Sequence, residues 1–420
     1  MVVDEGWRAR WLAAPVALLC AACGGESGGD VTLTVTDSSS SQAFLTGAAV
    51  AIDRGDGTRE EGVTGGDGTF TAHQVTGAGP FAFTVAMPGY VAVSQLGLTQ
   101  AGDWQISLHP IGDDPTWDDV GGDVEGKEDA SHSVVVSATV PSSRFGGTGP
   151  EYTLRVTPGA SSLIVCELTW GPAPASARAN TTSFIGWSEF PVVVEGPSDF
   201  DLALPDLAEP STAPSGPQPG GPIAGQSLMP LVASGTLLVP ASMTGATGGV
   251  SVTTGTSSWS AFVGGEKDVD VAPDGTDLAY DAQYVMPTTQ GDLVTIYGLQ
   301  AGSAASYVAK LAPPGDTVSF LDPPTLSSPQ HLEGPLPVQA SDPSVALRVN
   351  ISRDDSTVAW EVFASPGGSI TLPKLPSAIN PTLVLGTGRV SAEPEVCEPD
   401  PTSGRCARWA VGASADLVSP

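Results

Sequence analysis

Positive charge is scarce in this chain. Only 16 Lys and Arg stand against 46 Asp and Glu, which leaves a formal net charge of −30 over 420 residues. A surface so acidic repels phosphate backbones and anionic head groups, so nucleic acid is not expected as a partner and no basic patch is there to hold a membrane. Charged residues of both signs reach only 15%, too few for long amphipathic helices. Histidine is rarer still: His73, His109, His132 and His331 are the four, and no two lie at a metal-ligand spacing. The one G-x-S-x-G match, Gly25-Glu26-Ser27-Gly28-Gly29, lies in the glycine-rich stretch after Cys23 with no apolar strand pattern before it, and the H-E-x-x-H helix and the glycine-rich phosphate loops do not occur. Carboxylates are too abundant for any one pair to stand out as a glycosidase acid and base. Neither catalytic residue, metal ligand nor cofactor is therefore assigned, and the chain is expected not to be an enzyme.

What is abundant is turn chemistry and short apolar stretches. Gly (51) and Pro (38) punctuate a chain that is 40% hydrophobic, which is enough to fill cores and points to all-β domains built from short strands. The apolar run nearest the N-terminus, Trp11 to Ala22, follows Arg8 and Arg10 and carries no charge. It is shorter than the about 20 residues that a membrane-spanning helix needs and suits the apolar region of a cleaved signal peptide. It ends in Ala21-Ala22-Cys23, followed by the flexible stretch Gly24-Gly25-Glu26-Ser27-Gly28-Gly29-Asp30.

These residues resemble the bacterial lipoprotein signal peptide and its lipobox: two small residues and then the cysteine that takes the lipid. The sequence departs from the pattern at Cys20, where Leu is usual, and in having Asp4 and Glu5 in the leader. The resemblance implies cleavage before Cys23, lipidation of Cys23, and a cell-envelope location. Gly24 after the cysteine, rather than Asp, implies the outer membrane of a Gram-negative bacterium. The membrane is then a partner through the anchor alone, and acylation of that one residue with more than one chain would make the attachment stable.

The other cysteines fit export. Cys397 and Cys406 bracket EPDPTSGR, and a disulfide between them would contribute about 2–3 kcal/mol. Cys166, in the apolar run LIVC, reads as a small buried hydrophobe.

Residues 31–110 form the clearest unit. VTLTVTD (31–37) alternates as a half-buried strand does. GAAVAID (47–53) gives a second strand, and Asp56-Gly57 and Asp67-Gly68 supply hairpin turns. FAFTVAMPGY (81–90), VAVSQLGL (91–98) and WQISLHP (104–110) follow. The order Gly47-Ala48-Ala49-Val50, then Thr64-Gly65-Gly66-Asp67-Gly68-Thr69-Phe70, then Pro88-Gly89-Tyr90 resembles the carboxypeptidase regulatory-like, prealbumin-like β-sandwich family. The likeness covers about 80 residues and implies an accessory sandwich that spaces or binds and carries no catalytic residues.

The full organisation expected is a signal peptide (1–22), a flexible tether (23–30), the regulatory-like sandwich (31–110) and an acidic linker (111–131). Prealbumin-like or Ig-like sandwich regions then fill 132–204, 228–330 and 331–420, with a Pro/Gly-rich linker or loop at 205–227. LVLGTGRV (383–390) reads as one of the last strands.

Three minor patterns have bland explanations. Arg54-Gly55-Asp56 sits in a hairpin. Asp268, Asp270, Asp274 and Asp277 could hold calcium in a loop, but a turn with Asp274-Gly275 at its tip explains the same residues. Trp104, Trp170, Trp187, Trp259, Trp360 and Trp409 could include a sugar-stacking platform, although Trp104 and Trp360 lie in strands of alternating pattern and suit a core. The functional expectation is a non-enzymatic envelope lipoprotein acting as a binding or spacer scaffold, with an envelope glycan or protein as possible partner. A carbohydrate- or peptidoglycan-binding surface module is the alternative, and an enzyme with a dispersed active site is a third.

Overall fold

A computed structural model describes residues 29–38, 43–111, 118–125, 132–138, 151–156, 159–171, 181–204, 223–224, 226–255, 260–269, 277–286, 292–326, 330–331, 335–336, 338–342, 344–354, 357–364, 370–399 and 406–418. Cys23, the leader and most of the tether lie outside them, as do Trp259, Asp270 and Asp274. The chain is all-β, with many strands in several sheets and only short helical turns. It divides into two compact units. Among the described residues, one holds 116–302 and 307–320, and the other joins residues 29–115 to 303–306 and 321–420.

The second unit begins with seven strands: β1 (Val31–Asp37), β2 (Ala49–Asp53), β3 (Arg59–Val63), β4 (Thr69–Ala72), β5 (Phe81–Ala86), β6 (Ala92–Leu98) and β7 (Gly102–Leu108). They make two layers. β1 lies between antiparallel β4 and parallel β7. β2 lies between β3 and β5, and β5 pairs β6, all antiparallel. Val31, Leu33 and Val35 of β1 meet Val50, Ile52, Phe81, Phe83 and Val85 between the layers. The alternation legible in VTLTVTD is this buried face. Asp67 accepts a hydrogen bond from the Thr69 backbone N–H at 3.0 Å and so closes the β3–β4 turn. Gly68 has φ +72°, and a Cβ there would meet the Val35 carbonyl oxygen at 2.7 Å, so only glycine fits.

The second layer does not end at β6. Ala92–Leu96 of β6 pair in parallel with Trp360–Ala364 of the strand Val358–Ala364. That strand pairs Ala346–Arg353, which pairs Val390–Pro399, which in turn pairs Cys406–Val411 and Ala415–Val418. One continuous sheet thus runs from β3 to the C-terminal strands. The face of β2, β5 and β6 turned away from β1 is made of small residues. Ala49, Ala86 and Ala92 join Leu347, Val349, Trp360 and Val362 in a second core. The Trp360 indole donates to Ser94 Oγ at 2.9 Å, and Ser94 and Thr84 share a bond at 2.8 Å. Burial on both faces explains why AVAID reads as a continuous apolar run rather than an alternating one.

In the other unit, 132–138, 159–171, 181–194 and 226–228 form an antiparallel sheet. It packs on a small sheet centred on Asp118–Glu125, around Val136, Leu154, Val165 and Phe190. Strands 231–238, 247–255, 260–269, 277–284 and 292–301 surround a further core of Leu237, Leu278, Tyr280, Tyr297 and Leu299.

Three local expectations change. Asp118–Glu125 is a strand inside the segment read as acidic linker, because its two valines, Val120 and Val124, are buried while its acids alternate with them. Ile223–Ala224 and Gln226–Leu228, at the end of the Pro/Gly-rich segment, are also strands. Finally, Pro381–Leu385 is a helical turn, not the start of a strand. Asn380 caps it, its side chain accepting from the Thr382 N–H at 3.0 Å, and Pro381 sits at the first position, where proline favours helix.

Candidate functional site: a buried carboxylate cluster

The residues singled out from the sequence do not converge. Cys23 lies outside the described residues. The sulfurs of Cys397 and Cys406 are 2.02 Å apart, at bonding distance, with Cα atoms 5.5 Å apart across neighbouring strands. Cys166 is buried. His73 pairs with Asp30 at 2.9 Å, and His109 Nδ1 lies 2.7 Å from Ser38 Oγ; these are separate places on the first layer. Asp268 is the penultimate residue of one strand and Asp277 begins another. Among tryptophans with described side chains, Trp187 and Trp360 are buried, and Trp104 and Trp409 are half-buried. Trp104 packs edge-on to Phe83 at 6.1 Å between centroids.

The densest gathering of unlike chemistry is one the sequence reading missed. On Ala346–Arg353, residues 347, 349 and 351 face the apolar core, so Arg348 and Asn350 face the other way. The register sets Phe363 and Glu361 opposite them on one side, and Glu395 and Glu393 on the other. Arg348 Nε donates to Asn350 Oδ1 at 2.7 Å, and Nη2 donates to Glu361 Oε1 at 2.7 Å. Its guanidinium lies 5.5 Å from the Phe363 ring centre. Asn350 Nδ2 donates to Glu395 Oε1 at 2.6 Å. Glu395 Oε2 has no hydrogen-bond partner among the described residues, and Arg348 Nη1 stands 3.7 Å from it.

One guanidinium therefore faces three carboxylates, and Glu395 is 0% exposed. An ion pair at 3.7 Å would favour the carboxylate, while burial favours the acid. Burial prevails, because Arg348 spends its well-formed bonds on Asn350 and Glu361. The Glu395 carboxyl is pushed up to about 7, with Arg348 opposing the shift and Glu393 and Glu361 adding to it. Burial also raises Glu393, against the pull of Arg348. The cluster can hold a proton inside the sheet near neutral pH. It offers no route for a substrate to Glu395, and its chemistry is that of register and pairing. Its sequence signal is modest: two polar residues, Arg348 and Asn350, spaced by two among the apolar Leu347, Val349 and Ile351.

A second polar contact ties β3 to a distant segment. Arg59 grips Asp53 at 2.8 Å and Glu61 at 2.6 Å, and its free arm donates to the carbonyls of Lys374 and Leu375. Glu61 accepts from the backbone N–H of Ser377 at 3.0 Å and also from its hydroxyl. The Ser377 hydroxyl first, and Arg59 next, lower the Glu61 carboxyl to about 2.

No protein-family model matches this chain, and no curated protein matches it. Solved structures that overlay on it include the Bacillus anthracis TIE protein, at 8% identity over 70% of this chain and 50% of that one, with TM-score 0.17. BcpA, the major pilin subunit of Bacillus cereus, overlays at 10% identity over 70% and 99%, with TM-score 0.17. The shaft pilin SpaA of Lactobacillus rhamnosus GG does so at 11% over 42% and 96%, with TM-score 0.16. The chain spans half the length of the first of these. Scores this low carry no argument about function, and the all-β assignment rests on the strands themselves.

Proposed function

We propose that this protein is a non-enzymatic lipoprotein of the cell envelope, anchored through lipid on Cys23 and serving as a binding or spacer scaffold. The observation that carries the reading is the uncharged run Trp11–Ala22 ending in Ala21-Ala22-Cys23, with a glycine-rich tether leading to the first strand at Val31. Gly24 favours outer-membrane delivery. The acidity of the whole chain supports attachment by acyl chains rather than by charge. Among the described residues no helix is long and apolar enough to cross a membrane. The unit built from residues 31–111 and 321–418 serves as the scaffold next to the tether.

The glycan-binding alternative would need an exposed aromatic face, and the tryptophan side chains described at 104, 187, 360 and 409 are buried or half-buried. The test of the anchor is Cys23→Ala. The natural chain is expected in the membrane fraction and labelled by a palmitate analogue, and the variant unlabelled and soluble. A variant that still sediments with membranes ends the proposal.

A further inference from the structure

We infer that β1 and β7 form a mechanical clamp, so that tension between the tether and the chain beyond residue 111 is resisted by the whole β1–β7 ladder at once. The inference rests on the lipid-anchor reading for the source of the tension, but not for the geometry. Chain direction is decisive. β1 and β7 are parallel, and their register runs from Val31 opposite Gly102 to Asp37 opposite Leu108. The tether reaches β1 at its N-terminal end, where the Gly102 N–H donates to the Asp30 carbonyl at 3.0 Å. The chain leaves β7 at the opposite end, past Leu108.

A pull on the tether and a pull on the chain after residue 111 therefore drag the two strands past each other along their length. Every bond of the ladder is loaded together, whereas a pull from one end would open them singly. Three further features oppose sliding. Val31, Leu33 and Val35 are each 0% exposed and would have to move through the core. β1 is also held on its other side by β4, from Val31–Ala72 to Thr34–Thr69. At the exit end, Thr36 Oγ1 and Ser107 Oγ are 3.1 Å apart, the Val91 N–H donates to the His109 carbonyl at 2.8 Å, and the Ile111 N–H donates to the Gly89 carbonyl at 2.6 Å. The last two bonds fasten the chain to the β5–β6 layer just before it departs.

Single-molecule pulling on unlipidated protein comprising residues 23–420 tests this, with one handle always at residue 23. In the first arrangement the second handle is at residue 113. In the second it is at Gln100, in the turn between β6 and β7 and thus at the same end as the tether. The first is expected to rupture at about threefold higher force, because shear shares the load over the ladder while peeling does not. The event is identified by a length gain of about 280 Å in the first arrangement, from residues 31–111, and of about 240 Å in the second, from residues 31–100. Equal forces in the two arrangements overturn the clamp. Failure of the anchor is read separately: a Cys23→Ala variant that still sediments with membranes ends the anchor and leaves these forces unchanged, and a weak ladder in a firmly anchored protein sinks the clamp alone.

Discussion

Replacing Glu395 by Gln should stabilise the second unit in alkaline solution and leave it unchanged in acid. The carboxyl is displaced from 4.5 to about 7 by full burial. A group whose folded value is raised contributes stability that is complete below its unfolded value and is lost as the pH climbs through the folded one. The loss therefore begins near pH 4.5 and is complete a little above 7. Ionising Glu395 then costs about 3 kcal/mol, from about 1.4 kcal/mol for each tenfold change in proton affinity. Glutamine mimics the protonated acid, and its carbonyl can keep the bond from Asn350 Nδ2. The assay is a urea titration at about pH 4.5 and about pH 8.5. Unfolding is read from hydrogen exchange of peptides covering 346–364, which isolates this sheet from the rest of the chain. The variant should match the natural protein in acid and exceed it by about 3 kcal/mol in alkali. If the variant is instead less stable at the higher pH, the Arg348–Glu395 attraction outweighs desolvation and the reasoning is refuted.

The same cluster makes Arg348→Leu costly, by about 3–5 kcal/mol at neutral pH, because it strands buried carboxylates without their cation. The urea midpoint of the same peptides checks it, and a loss under 1 kcal/mol would mean water reaches the cluster. Ser377→Ala should raise the Glu61 carboxyl from about 2 toward 4.5, visible in an NMR titration of its side chain. Ionised Glu61 favours the folded state above the unfolded value and ceases to do so as the pH falls toward 2, so the variant should lose that contribution at a higher pH. Removing the link between Cys397 and Cys406 by paired alanine substitutions should cost about 2–3 kcal/mol, from closure of a short loop. An unchanged melting temperature would show that the link contributes nothing.

Much of the strand content was legible because apolar and polar residues alternate, as in β1, or because Asp-Gly pairs mark turns, as at Asp67-Gly68. The joining of β6 to Val358–Ala364 was not legible. The pairing spans more than 250 residues of sequence and leaves no local mark except the run of small residues at Ala48, Ala49 and Ala51, which shows burial on both faces without naming the partner. Asp118–Glu125 was hidden because its acids are as dense as a linker's, and only two valines betray the buried face. Leu383 to Val390 read as a strand because its apolar residues are β-formers, while the stronger local signal was Asn380-Pro381 just before it. The carboxylate cluster escaped notice for a different reason. Acids are everywhere in this chain, and only the register of three strands tells which of them face Arg348.

The parallel joint between β6 and Val358–Ala364 also sets a timetable for the newborn chain. The strand that completes the second layer is synthesised long after β6. At about 5–20 residues per second, β6 waits on the order of ten seconds or more for its neighbour. Throughout that interval its hydrogen-bonding edge and the alanine-lined face behind it lack the partners they have in the finished protein. An unpaired edge of this kind invites pairing with another chain. Correct folding therefore favours holding the first hundred residues apart until the last hundred have arrived, and a chain cut short before Val358 would present a sticky half-sheet rather than a smaller folded protein.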